Sequence, residues 1–444
     1  MMQPYDTYKD SGIDWVERIP NDWKTIRLAV LGSFYKGKGV AKSDIEMVGN
    51  QVILYGDIYT KYSLSVDSFE RRIPDEVSKK SFLIKSNDLL FTASGETKEE
   101  IGKALAFQGE DEAYAGGDVI IFRQNEIDAK YLSYLFNSYK IAEQKAKLSK
   151  GEIVVHIYSS QLRDIKFPLP ENNVIENLLI YLDQKTEQID RIIKAKQKLI
   201  QLYEEDKQLI INELVTGKKV LINGKLELPK KTKDSETKWL GRIPEDWSHS
   251  SLKWYSKIYS GGTPSKSVLS YWFAGDIPWL NSGTVNQFII TEPSNYITEE
   301  GLNNSSAKWI PKGALVMALA GQGKTKGMVG MVTFKTTCNQ SLGVIVPNSK
   351  VNNKFLLYYL NDNYQNIRNL AGGDKRDGIN LEMIGGIKIP LPDIEIQEEV
   401  VTSIEEKLSH IDFKIQNSLK LISLLKEYRT TLINDVVTGK IKIS

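Results

Sequence analysis

Cysteine occurs once in 444 residues, at Cys338. A single cysteine cannot close an intramolecular disulfide, and that usage suits a reducing cytoplasm. Histidine is almost as scarce: His156, His249 and His410 stand far apart with no cysteine cluster nearby, so no zinc site is expected. No apolar run approaches the roughly 18 residues of a membrane span, and the start, Met1 to Asp10, lacks the basic and apolar pattern of a signal peptide. Pro-Pro is absent, which removes the Asn/Asp-Pro-Pro-aromatic loop with which amino-methyltransferases hold a flipped base, and no Gly-x-Gly-x-x-Gly takes its place. An excess of one charge is missing too. The net charge of +2 neither demands nor excludes a polyanionic partner, because electrostatic binding depends on where charge clusters. These absences point to a soluble, intracellular chain, and 41% hydrophobic content supplies two cores.

Two segments come near to catalytic chemistry and fall short. Ala318-Leu319-Ala320-Gly321-Gln322-Gly323-Lys324-Thr325 ends like a phosphate-binding loop, but Ala318 stands where the first glycine belongs. The first half of the chain has Thr92-Ala93-Ser94-Gly95-Glu96-Thr97 in the corresponding place, which favours a glycine turn after a strand. Asp393 with Glu405, Glu406 and Lys407 resembles a nuclease carboxylate set only in composition, since these residues fall at or within a helical pattern. No catalytic residue and no metal ligand is assigned. The chain reads as a binding protein rather than an enzyme.

What is present is a duplication. Trp15-Val16-Glu17-Arg18-Ile19-Pro20-Asn21-Asp22-Trp23 returns as Trp239-Leu240-Gly241-Arg242-Ile243-Pro244-Glu245-Asp246-Trp247, and Ile165-Lys166-Phe167-Pro168-Leu169-Pro170 returns as Ile387-Lys388-Ile389-Pro390-Leu391-Pro392. The offsets, 224 and 222 residues, are far longer than a solenoid unit of roughly 20–50 residues, so a whole domain is repeated.

Each copy closes on a long helical pattern. Leu182, Ile189, Ile193, Ile200, Tyr203, Ile210 and Leu214 fall on a seven-residue stripe, and Ile404, Leu408, Ile411, Ile415, Ile422, Leu425, Leu432 and Val436 form its counterpart. Even the polar interruptions coincide, Lys196 with Ser418 and Lys207 with Arg429. Each pattern stops at Val-Thr-Gly, where Gly217 and Gly439 are suited to a left-handed cap. Two matched stripes in one chain pair with each other more naturally than each with its own domain, so an antiparallel coiled coil is expected.

Between the shoulders lie two mixed α and β bodies. Strand character appears at Gln51–Tyr59, Ser81–Thr92 and Asp118–Arg123, then at Ala314–Leu319 and Leu342–Val346, with a helix near Lys130–Asn137 and another near Lys354–Asn361. Tyr259-Ser260-Gly261-Gly262-Thr263-Pro264 and Tyr271-Trp272 have no evident counterpart in the first copy. The expected organisation is an α+β chain: a globular domain over 1–170, a long helix over 171–219, a polar linker over 220–236, a second globular domain over 237–392 and a second long helix over 393–444. Copies that agree at shoulders and helices but differ in their bodies suggest one kind of partner met twice and two different targets.

The Trp-x-x-x-Ile-Pro-x-x-Trp shoulders, the Pro-Leu-Pro approaches to helices ending in Val-Thr-Gly-Lys, and the run from Ser260-Gly261-Gly262-Thr263-Pro264-Ser265 to Gly275-Asp276-Ile277-Pro278-Trp279 resemble the specificity subunit of type I restriction-modification systems over nearly the whole chain. The resemblance implies two target recognition domains, each reading half of a split double-stranded DNA sequence, and a coiled coil that sets the spacer. It implies two docked methyltransferase subunits carrying S-adenosylmethionine, and restriction subunits using ATP and magnesium, none of these cofactors binding this chain. Base reading needs polar side chains at groove edges. The candidates in polar loops are Lys36, Lys38, Lys61, Arg71, Arg72, Thr97 and Lys98 in the first body, and Thr263, Ser265, Lys266, Asn281, Ser282, Gln322, Lys324, Lys326, Lys375 and Arg376 in the second. The alternative is a coiled-coil adaptor that does not bind DNA.

Overall fold

The computed structural model describes residues 3–321, 324–371 and 378–443. The chain divides into two compact units, Met1–Gln197 with Leu419–Ser444, and Lys198–Ser418.

In the first unit, Tyr8–Ile13 and Val16–Pro20 form an antiparallel hairpin, and Lys24–Arg27 pairs with Lys166–Leu169, so the two ends of the body are zipped together with Phe167 opposite Ile26. A five-stranded sheet runs in the order Ser33–Lys36, Val119–Arg123, Asp88–Thr92, Ala104–Phe107, Ser65–Val66. Its central strands are apolar on both faces and buried, as strands covered on both sides must be. A second sheet, Arg71–Ile73, Asn50–Ile53, Ala113–Ala115, Phe82–Ile84, shares with it a core that includes Ile53, Phe69, Leu90 and Phe107. The helix Ala129–Phe136 lies on the strand Ala104–Phe107 and is capped by Asp128, whose carboxylate accepts from the Lys130 amide at 2.7 Å. The strand expected over Gln51–Tyr59 stops at Ile53. Tyr55–Thr60 is helical because Asp57 turns back to accept from the Leu54 amide at 3.3 Å, and Arg71 holds that carboxylate in place.

The second unit repeats this plan. Arg242–Pro244 and Ser248–Ser251 take the shoulder positions, the latter pairing with Lys388–Leu391. The five-stranded sheet runs Ser256–Ser260, Leu342–Pro347, Leu315–Ala318, Val329–Val332, Ile289–Ile290, and the second sheet Asn295–Ile297, Ile277–Leu280, Thr337–Cys338. Where the first unit has its strand Phe82–Ile84, the second keeps a single bridge, Ile310 to Thr336.

Two expectations need correction. The polar stretch over 220–236 is not a plain linker: Val220–Ile222 pairs with Lys225–Glu227, and Thr232–Asp234 pairs with Arg242–Pro244 as Tyr8–Asp10 pairs with Arg18–Pro20. The repeat therefore extends N-terminal of the tryptophan shoulders and includes Lys9-Asp10-Ser11 and Lys233-Asp234-Ser235, where Asp10 and Asp234 each accept an amide two residues on at 2.8 Å. The Tyr259-x-Gly261 segment does have a counterpart, Tyr35-x-Gly37. A Cβ on Gly37 would strike the Gly116 carbonyl and one on Gly261 the Cys338 carbonyl, so both positions admit only glycine, and the following amides, Lys38 and Gly262, donate to Ala115 and Cys338.

The long helices are Asn172–Val215 and Ile394–Val437, 44 residues each. In the first unit Arg429 meets Asp190 at 3.2 Å, and in the second Lys207 meets Asp412 at 2.8 Å. From 190 to 207 is seventeen residues forward and from 429 to 412 seventeen back, so both pairs obey one antiparallel register. All fifteen expected seam residues are buried or half-buried. Gly217 and Gly439 take φ +71° and +74°, as the cap requires.

Candidate nucleic-acid interface

Strand order decides which loops meet. In the first unit, the strand Ser33–Lys36 ends, Val119–Arg123 begins, Asp88–Thr92 ends and Ala104–Phe107 begins at the same edge, through the pairs Ile120 with Lys36 and Val119 with Thr92. Lys36, Lys38, Thr97 and Lys98 therefore belong to one end of the five-stranded sheet, and all four are exposed. A second loop joins them: Ser94–Gly95 pairs with Val155–His156, and the Lys150 and His156 amides and carbonyls exchange hydrogen bonds at 2.9 and 2.7 Å, closing a turn over 151–155. Ser94 Oγ lies 3.0 Å from His156 Nδ1, and the Tyr59 hydroxyl bonds Thr92 Oγ1 at 2.7 Å, while burial pushes the Tyr59 phenol up to about 12. Lys103 donates to the Tyr62 carbonyl at 2.9 Å, and burial lowers the pKa of its amine. The loops thus leave a braced base and present exposed tips, polar at Thr97 and Lys98 and apolar at Ile153 and Val154.

The second unit assembles the same edge. Ala318 pairs with Leu342 and Gly343 with Ser260, which places Thr263, Ser265, Lys266 and Lys324 at that end. The Ile379 amide donates to Leu319 at 2.7 Å, as the Ile157 amide donates to Ala93 at 2.9 Å, so Ile379 lies at the same edge. Gln322, Lys375 and Arg376 lie outside the described residues.

Several candidates, Thr263 and Ser265 at this edge among them, are engaged by partners within the chain. Arg71 Nε reaches both carboxylate oxygens of Asp57 at 2.8 and 2.7 Å, and Asp57 is buried, so this arginine holds the Tyr55–Thr60 helix. Lys61 pairs with Glu70, and Arg72 donates to the Phe69 and Arg71 carbonyls. Asn281 accepts from the Gly283 amide at 2.8 Å as a helix cap with Ser282 in its first turn, Thr263 Oγ1 bonds Gln340 at 2.6 Å, and Ser265 bonds Ser267. Lys326 is 4% exposed, a packed side chain unlike its exposed neighbour Lys324. Sequence reading passed over Lys150, His156 and the exposed Ile153, because only the bridge to Ser94–Gly95 brings that turn to the sheet end.

A duplicated α+β body, closed at its shoulder and joined to a paired long helix, defines a two-copy recognition scaffold. Residues 20–202 and 244–421 both match the family described as "Type I restriction modification DNA specificity domain", and the chain belongs to that family as a specificity subunit. It is 27% identical to the putative type I restriction enzyme MjaX specificity subunit of Methanocaldococcus jannaschii over 98% of each chain. It is 26% identical to the EcoR124I/EcoR124II specificity subunit of Escherichia coli over 39% of this chain and 41% of that one. The fold matches that of a chain in a structure described as the basis of "complex assembly" and "conformational transition of the type I R-M system", with TM-score 0.72, 14% identity and coverage of 95% and 99%. It also matches the HsdS subunit of Thermoanaerobacter tengcongensis, with TM-score 0.60, 15% identity and coverage of 95% and 98%. Among the described residues no helix is long and apolar enough to cross a membrane.

Proposed function

We propose that this chain is the non-catalytic, DNA-reading subunit of a type I restriction-modification complex, each unit reading one half of a bipartite double-stranded target. The observation that carries this reading is the placement of polar loop residues at the same end of both five-stranded sheets, with the matching anchors of Ile157 to Ala93 and Ile379 to Leu319 and different side chains around them. Shared backbone with divergent tips is what reading two different sequences on one scaffold requires. Methyltransferase subunits, two in number, bring S-adenosylmethionine; restriction subunits bring ATP and magnesium; this chain binds none of these.

The helices support the docking of such partners. Ile192, Leu421, Leu424 and Tyr428 in the first unit, and Leu202 and Leu209 in the second, are exposed apolar residues. Each stands one position before a seam position, Arg429 in the case of Tyr428, so that Leu421, Leu424 and Tyr428 form a second stripe on the second long helix and Leu202 and Leu209 lie one heptad apart on the first. A contiguous apolar stripe left in water marks a protein contact.

The test is fluorescence anisotropy of the chain, assembled with its methyltransferase subunit, on duplex DNA over a salt series. Lys98→Ala and Lys324→Ala, if they remove phosphate contacts, each lower the slope of log affinity against log salt by about one. An assembled complex whose DNA binding is weak and indifferent to salt returns the chain to the adaptor class.

A further inference from the structure

The two units treat one equivalent place differently. In the first, the bridge of Gln3 to Lys442 carries an extended N-terminal segment past the shoulder. In the second, Val220 pairs with Glu227; Val220 lies 222 positions before Lys442 and Glu227 lies 224 after Gln3, so the segments after Gln3 and after Glu227 correspond. Tyr5 falls where Pro229 stands, and Tyr8 where Thr232 stands.

Tyr5 fills its place. Its ring meets Trp23 edge-on, centroids 5.9 Å apart at 76°, and Tyr8 at 6.3 Å, while the Tyr5 amide donates to the Tyr8 hydroxyl at 3.0 Å. Pro229 supplies no ring to Trp247, and Thr232 none to replace Tyr8. What remains there is a largely apolar cavity of about 470 Å³ lined by Pro229, Pro244, Trp247, Ile396 and Val400, with the Lys231 and Glu245 pair at 3.7 Å on its rim. The helix-end glycine closes both places alike, Gly439 against Pro20 and Trp23, Gly217 against Pro244 and Trp247. The frame is the same but no ring stands at Pro229; Val220, Leu221 and Ile222 also line the cavity, and Trp247 itself is 2% exposed.

We infer that the cavity beside Trp247 is a socket for an aromatic side chain carried on an extended segment of a partner polypeptide, in the position that Tyr5 fills from within the chain in the first unit. A ring set edge-on to a tryptophan in an apolar cavity gains both burial and quadrupole attraction. The Lys231–Glu245 rim gives the flanking main chain polar company. This inference does not depend on DNA reading.

The probe is the peptide acetyl-Gln-Pro-Tyr-Asp-amide, which reproduces the segment that fills the counterpart site, observed by saturation-transfer NMR with the full chain. Saturation should reach the tyrosine ring protons, with a dissociation constant on the order of 1 mM, as expected for one buried ring. Pro229→Tyr, which supplies the missing ring, should weaken binding at least tenfold while leaving the thermal midpoint at or above that of the parent. Ile396→Phe, which fills the cavity from the helix side, should do the same and serves if Pro229→Tyr does not fold. No transfer to the parent chain, or transfer that a folded filled variant leaves unchanged, overturns the socket.

Discussion

The two units hold the ends of the long helices in the same way and surround that hold differently. A Cβ on Gly217 would lie 2.8 Å from Pro244 Cγ and 3.0 Å from Trp247 Cζ3; one on Gly439 would lie 2.8 Å from Pro20 Cγ and 3.2 Å from Trp23 Cζ3. Away from that grip the chemistry diverges. The first unit has a charged pair, half-buried Arg123 with buried Asp88 at 2.7 Å, where the second has Ala314, just before the corresponding strand Leu315–Ala318. It also buries Lys145 completely, its amine donating to the Gly102 carbonyl at 2.5 Å, whereas the helix Tyr364–Arg368 of the second buries Ile367. Duplication has kept the backbone frame that attaches helix to body and released the side chains that the frame does not need.

The largest expected effect falls on recognition. Four residues inserted after Lys196 and four after Ile422, which face each other in the register set by Asp190 and Arg429, lengthen both helices by about 6 Å. Because DNA advances about 3.4 Å per base pair, the spacer of the target should widen by one or two base pairs with both half-sites kept. A mapped motif with its original spacer would break the proposed role of the helices.

Next come the two glycines. Gly217→Ala and Gly439→Ala each combine a left-handed backbone with overpacking against proline and tryptophan, for a cost of about 3 kcal/mol in denaturant unfolding. The comparison predicts equal losses, and a difference beyond about 1 kcal/mol would show that the two grips are not equivalent. Asp88→Ala should cost the first unit about 2 kcal/mol, below the usual penalty for a broken buried pair because the Arg123 side chain keeps 24% of its surface in water.

The smallest effect is a slope. Burial pushes the Lys145 amine down to about 7, against roughly 10.4 when the chain is unfolded. Between those values the unfolded chain binds more protons, so stability rises with pH from about 7 towards 10, by at most about 1.4 kcal/mol per pH unit. Below pH 7 both states are protonated and the contribution is flat. Lys145→Met should remove the rise, and no comparable rise is expected from Ile367 in the second unit. An unchanged pH profile in Lys145→Met would remove this contrast between the units.

The sequence made the helices legible because a seam repeats every seven residues and both copies stop at Val-Thr-Gly; the observed spans, Asn172–Val215 and Ile394–Val437, fall inside those limits. The bodies were legible as strands and helices but not as sheets, since the order that brings Lys36 and Thr92 to one sheet end, on either side of Val119–Arg123, depends on pairing between distant residues. Composition misled over 220–236, where a lysine-rich stretch contains strands whose partners lie only a few residues away. Tyr35 and Gly37 escaped alignment with Tyr259 and Gly261 because only those two positions are constrained, one to pack and one to admit a carbonyl. Among the candidate contacts, Arg71 and Lys326 show why basic residues alone do not mark a DNA surface. One is bound to Asp57 and the other is buried, and neither condition is written in local sequence.

The most direct test of the central claim is to co-express the chain with its methyltransferase subunit and map modified adenines in the host DNA by single-molecule sequencing. Two units that read separate half-sites predict a split motif with a fixed spacer. Complete absence of new methylation, from a complex shown to assemble, or a single continuous motif, would contradict it.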